Sequence, residues 1–90
     1  MKHIVKRAGH SESYDGRKLY ASIYASCLSV RAPQGEAELV AERVQKQVED
    51  WLSKKQEVTG HDIRREAAKH LTAVNPDAGY IYEKHRELHR

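Results

Sequence analysis

Ninety residues carry sixteen Lys and Arg against thirteen Asp and Glu, a net charge of +3. That suits a polyanionic partner without requiring nucleic acid. Hydrophobic residues at 39 % and charged residues at 32 % exclude a disordered chain. No apolar run approaches the ~20 residues of a membrane span.

The length fits one small domain, residues 1–90. Met1-Lys2-His3 leads into a strand pattern rather than a secretory leader. The single Cys27 permits no internal disulfide and falls among apolar helix positions. Core packing in a reducing compartment is therefore expected, with the cytoplasm as the default.

In chain order, His3 to Arg7 reads as a short strand, Ala8-Gly9 as a turn and Ser11 to Tyr14 as a returning strand. Asp15 is a good N-cap, and a first helix begins at Gly16-Arg17-Lys18 and runs to about Ser29. Leu19, Tyr20, Ile23, Tyr24, Cys27 and Leu28 form its apolar face. One local rule fails here. Arg17 and Lys18 stand in the first turn, where cations oppose the helix dipole, and Lys6 and Arg7 lie one hairpin away. Such failures mark candidate functional sites, although all four cations read equally as solvated surface.

Arg31 to Gly35 reads as a connection broken by Pro33 and Gly35. A second helix follows, with Glu36 and Glu38 in its first turn and Ala37, Val40, Ala41, Val44, Val48, Trp51 and Leu52 as its apolar face. Lys54 and Lys55 lie at its C-terminal end. Thr59 with Asp62 forms a capping box for a third helix, Val58 can staple onto Ile63, and Ile63, Ala67, Leu71 and Val74 make the apolar line. Asn75-Pro76 stops that helix and starts a fourth, which carries Ala78, Ile81, Tyr82, His85 and Leu88 and is weakened by Gly79. The fold class expected is α+β, an N-terminal β-hairpin capping a bundle of about four helices.

The stretch VKRAGHSESYDGRKL resembles the opening motif of the ATP-cone domain, a V-x-K-R-D-G or V-K-R-D-G run followed by E, an apolar residue, D/N and K-[IL]. Val5, Lys6, Arg7, Gly9, Glu12, Tyr14, Asp15, Lys18 and Leu19 match it, and Ala8 departs from the usual Asp. Weaker similarity in the right order extends from about residue 3 to 86, through Val58 to Ile63 and Tyr80 to Arg86. That family comprises regulatory nucleotide-binding modules of ribonucleotide reductases and of a zinc-ribbon repressor of reductase genes.

The resemblance implies a regulatory ligand, ATP or dATP, with or without Mg2+. It implies no turnover, a homo-oligomer or reductase-type protein partner, and here a free-standing cone. Val5 and Leu19 would wall the adenine, Lys6, Arg7 and Lys18 would meet the phosphates, and Glu12 would accept from ribose, orient a lysine or hold a metal-bound water. Thr59 begins a helix whose N–H groups suit an anion, though an N-cap Thr needs no ligand. Arg64 and Arg65 either reach a phosphate or stay solvated, and Lys84, Arg86 and Arg90 are candidates for a further basic contact.

Other chemistries lack support. No phosphate loop or Rossmann glycine pattern is present. His85 and His89 are four apart with no third metal ligand placed, and no nucleophilic triad suggests itself. A small nucleic-acid-binding or transcription-regulatory module, using Lys6, Arg7, Arg17, Lys18, Arg64, Arg65 and Lys69 with stacking tyrosines, is the rival. A helical oligomerisation domain pairing through the hairpin edge is the third reading.

Overall fold

The computed structural model describes the backbone of residues 4–7 and 10–88 and the side chains of residues 14–84. The expected start at His3 and turn at Ala8-Gly9 therefore lie outside the described residues. Strands β1 (Ile4–Arg7) and β2 (His10–Ser13) precede helices α1 (Gly16–Ser29) and α2 (Gln34–Leu52). A two-residue strand β3 (Val58–Thr59) then leads into α3 (Gly60–Val74), and α4 (Pro76–Leu88) closes the chain.

Helix α1 starts where the Asp15 carboxylate accepts from Arg17 N at 3.0 Å. Its core line is Leu19, Ile23, Ser26 and Cys27, narrower than the apolar face expected. Leu28 is 40 % exposed, and Tyr20 and Tyr24 flank the core half-buried and stacked at 6.2 Å. Ser26 tolerates burial because its hydroxyl donates to the Ser22 carbonyl at 3.0 Å.

The end of α1 follows a Schellman pattern. Arg31 N donates to the Leu28 carbonyl at 2.9 Å and Ala32 N to the Cys27 carbonyl at 3.1 Å. That closure needs a left-handed residue, and Arg31 supplies it with φ 66, a position glycine normally takes. Pro33 then prevents α1 from continuing and stands at the N-cap of α2 in extended conformation. The connection is thus shorter than expected, and Gly35 lies inside the first turn of α2 rather than before it.

Helix α2 buries Ala37, Val40, Ala41, Val44, Val48 and Leu52. Trp51 only packs against the edge of the core, with Lys55 Nζ 5.4 Å from its ring centroid. Lys54 and Lys55 follow the helix end at Leu52, and its last turn itself carries no cation.

Across the bundle, Ile23, Leu52, Leu71, Val44, Val48 and Cys27 are fully enclosed. Each large aliphatic side chain contributes roughly 1.5–3 kcal/mol by its removal from water. Val74, expected on this line, is 43 % exposed because it is the last residue of α3, where the chain turns away at Asn75.

Asn75 serves both neighbours. Its backbone N–H closes α3 on the Leu71 carbonyl at 2.8 Å, and its side-chain oxygen accepts from Ala78 N at 3.1 Å to cap α4. Gly79 is more than a weak point in α4. A Cβ there would press on the Thr72 hydroxyl and stand 2.8 Å from Thr72 Cα. Glycine lets the two helices cross backbone to backbone.

The three strands form one sheet in the order β2-β1-β3. β1 runs antiparallel to β2, with Val5 opposite Glu12 and Lys6 opposite Ser11. β1 also runs parallel to β3, with Val5 opposite Val58 and Lys6 opposite Thr59. The sequence contains no local signal for this third strand.

Candidate functional site

The parallel pairing of β1 with β3 joins two stretches that are far apart in sequence. It sets the backbone of Lys6 against Thr59, the residue that opens α3. Of the expected site residues, Val5, Lys6, Arg7 and Glu12 have described backbones only, so the roles expected of their side chains fall outside the described atoms. His85 and Arg86 likewise have described backbones only, and His89 and Arg90 lie outside the described residues.

At Thr59 the expected capping box is complete. Asp62 N donates to Thr59 Oγ1 at 3.0 Å, and Thr59 N donates to Asp62 Oδ2 at 3.1 Å. The backbone N–H of Thr59 is the main reason the Asp62 carboxyl is held below the usual carboxylate range. The Thr59 hydroxyl and Arg65, whose Nη2 lies 3.3 Å from Asp62 Oδ1, add to it. The Thr59 oxygen accepts at the cap, and its single proton can go either to the Asp62 carboxylate or to a ligand.

Arg64 is exposed and folds back over this helix start, its Nη1 4.0 Å from where a Gly60 Cβ would lie. A guanidinium, the positive end of α3 and the backbone of Lys6 therefore share one corner of the fold. The Asp62 carboxylate shares it too, and offsets part of that positive charge.

Lys18 and Leu19 stand on a separate element, the first turn of α1. Lys18 is exposed, with no acidic residue in that turn. Among the described residues neither Lys18 nor Arg17 forms an ion pair. Leu19 is 7 % exposed and belongs to the core, so at most an edge of it faces a ligand.

Sequence reasoning missed the support of this region. Tyr14, between β2 and α1, donates its phenol to Glu49 Oε2 at 3.1 Å, and Gln45 Nε2 donates to the same oxygen at 3.1 Å. Burial first, and then the Glu49 charge, hold the Tyr14 phenol well above its ordinary pKa. A Cβ on Gly16 would meet Gln45 Nε2 at 2.5 Å and Glu49 Oε2 at 2.8 Å, so the glycine admits the start of α1 against this cluster. Nothing in the sequence pairs positions 14 and 49, because the contact depends on how α1 packs on α2.

Among the described residues no group of three His, Cys, Asp or Glu could hold a metal. Cys27 is buried and its thiol is pushed up by that burial, which makes it a poor nucleophile. Among the described residues no helix is long and apolar enough to cross a membrane. A family model described as ATP cone domain matches residues 2–89. No curated protein and no solved structure matches the chain significantly.

Proposed function

The chain belongs to the ATP-cone family, and from that premise we propose that it binds ATP or dATP as a regulatory ligand and does not consume it. The observation that carries this reading is the register of β1 on β3, with Lys6 opposite Thr59 at the start of α3. A triphosphate carries about four negative charges and asks for several cations around a helix N-terminus. In the proposed site Lys6, Arg7, Lys18 and Arg64 meet the phosphates and the Thr59 hydroxyl donates to one of them. Val5 and the exposed edge of Leu19 wall the adenine, and Glu12 accepts from the ribose or orients a lysine. The β1–β2 hairpin, lying over the helix ends, closes the site. Mg2+ accompanies the phosphates or is dispensable, and both conditions belong in the test.

Bound nucleotide would then alter self-association or the grip on a protein partner such as a ribonucleotide reductase. The rival nucleic-acid reading is weakened by pairing on the basic face. Arg65 lies 3.3 Å from Asp62 and Lys69 lies 3.3 Å from Glu66, so these cations are partly neutralised locally.

Calorimetry with ATP, dATP, GTP and a short DNA duplex, with and without Mg2+, tests the proposal on one sample. Adenine nucleotide binding should stabilise the fold by about 2.7 kcal/mol at a hundredfold excess over Kd. No heat and no melting shift with either adenine nucleotide would refute it, and steady phosphate release would refute the absence of turnover. Sedimentation with and without nucleotide tests the coupling to assembly.

A further inference from the structure

At the far end of α1, Ser29, Val30 and Arg31 turn the chain beside the first turns of α4. A cleft of about 410 Å³ opens there, lined also by Asp77, Tyr80 and Ile81. Three of its features bear on what could bind there.

Arg31 holds the left-handed conformation that the Schellman closure requires, at φ 66, where glycine would serve without strain. Backbone strain retained at a cleft is a pointer to function. The guanidinium of Arg31 and the carboxylate of Asp77 are both exposed, and neither forms an ion pair among the described residues. Tyr80 is 63 % exposed with Lys84 Nζ 5.6 Å from its ring centroid, while Tyr82 on the same helix is buried.

We propose that this cleft docks an extended peptide segment of a partner protein, carrying an acidic and a basic side chain on either side of an apolar one. Arg31 takes the carboxylate with its planar fork, and Asp77 accepts from the ammonium or guanidinium. The apolar side chain lies against the Tyr80 ring, with Val30 and Ile81 as walls. In an extended segment alternate side chains point the same way, so all three can reach one cleft.

The two opposite charges argue against simpler ligands. A phosphate, or a nucleotide, would gain at Arg31 and lose at Asp77. The cleft is also remote from the proposed nucleotide site, since the 14 residues of α1 span about 21 Å at 1.5 Å per residue. The inference therefore stands or falls separately from the nucleotide reading.

The test is a titration of the isotope-labelled full chain with blocked pentapeptides, read from backbone amide NMR shifts. Two peptides carry Glu-Gly-Leu-Gly-Lys in forward and reverse order, and two controls replace Glu or Lys by Gln. Amides of residues 29–31 and 77–81 should shift and saturate in the millimolar range with at least one of the two charged peptides. Each Gln control should bind about tenfold more weakly, the loss of one charge-assisted contact.

Arg31→Gly should melt at a higher temperature than the parent yet lose the peptide, and Asp77→Asn should lose it with little change in melting. A purely structural Arg31 would not separate stability from binding in this way. The proposal is overturned if no peptide moves these amides, if the controls bind as well as the charged peptides, or if Arg31→Gly binds unchanged.

Discussion

Two glycines in this chain should respond to the same substitution with opposite signs. Gly79 lies where α4 crosses α3, and an added methyl would meet Thr72 Cα at 2.8 Å and Thr72 Cβ at 2.9 Å. Alanine is intrinsically favoured over glycine inside a helix by ~0.8–1.0 kcal/mol. Against that gain stands overpacking, which costs typically ~1–3 kcal/mol when the neighbour cannot yield. Thr72 Cα is backbone, so it yields only if the helices part, and the buried Ala68, Leu71, Ala78 and Tyr82 resist that.

The crossing should win, leaving Gly79→Ala less stable by about 1 kcal/mol and lowering the melting temperature by ~4–8 °C. Gly35 has nothing within 4 Å of an added Cβ. Gly35→Ala should therefore show only the propensity gain, up to ~1 kcal/mol in the opposite direction. Thr72→Ala removes the hydroxyl but keeps Cα and Cβ, so it should not rescue Gly79→Ala. Urea unfolding followed by circular dichroism measures all four variants. Gly79→Ala at or above parental stability, or complete rescue by Thr72→Ala, would sink the tight-crossing account.

Lys6→Ala and Lys18→Ala should each weaken ATP by roughly tenfold to a hundredfold while sparing adenosine, because each charge-assisted phosphate contact contributes ~1.5–3 kcal/mol. Lys54→Ala is the control, and calorimetry that shows equal losses for ATP and adenosine would place the phosphates elsewhere. The lowered pKa of Asp62 means its contribution is complete above the ordinary value of 3.8 and is lost as pH falls through the lower native value. Asp62→Asn should remove that part of the acid dependence of melting, and an unchanged acid limb would contradict it. Tyr14 has the opposite sign: its contribution is complete below the ordinary 10.0 and is lost as pH rises through the higher native value. Tyr14→Phe should flatten the alkaline limb and cost ~0.5–1.5 kcal/mol at neutral pH. A loss near the low end is expected, since Gln45 still serves Glu49. A steep alkaline limb in the Phe variant would exclude Tyr14 as its source.

What could be read from the sequence was local. Thr59 and Asp62 announce α3 because a capping box is complete within four residues, and Asn75-Pro76 marks the α3–α4 junction for the same reason. Apolar spacing found most of the core, but it could not tell that Leu28 and Val74 lie past the cover of neighbouring elements. Arg31 gave no warning, because its residue type does not favour the left-handed conformation that the turn imposes. In the sequence Gly79 is only a weakness of one helix, since the crossing with α3 alone reveals what it admits. At the candidate site, the sequence offers Lys6 and Thr59 each as a candidate ligand residue. It does not offer their proximity, because two residues of parallel strand leave no periodic pattern.

That pairing also bears on the order in which the molecule assembles. The helix packing is largely between consecutive elements, α1 with α2 and α3 with α4. By contrast Val5 meets Val58, a separation of 53 residues by subtraction of the two positions. Closing a loop that long costs about 3.5 kcal/mol in chain entropy beyond the constant term. Two parallel bridges cannot repay this until the helices have already drawn their ends together. The sheet is thus expected to seal last, and destabilising β3 should speed unfolding while leaving the folding rate nearly unchanged. Stopped-flow measurements on Val58→Ala would show this as a movement of the unfolding limb alone, and a slowed folding limb would put the sheet in the nucleus instead. Because the candidate corner joins β1 to the start of α3, it exists only in the finished chain, and partly folded molecules would be blind to nucleotide.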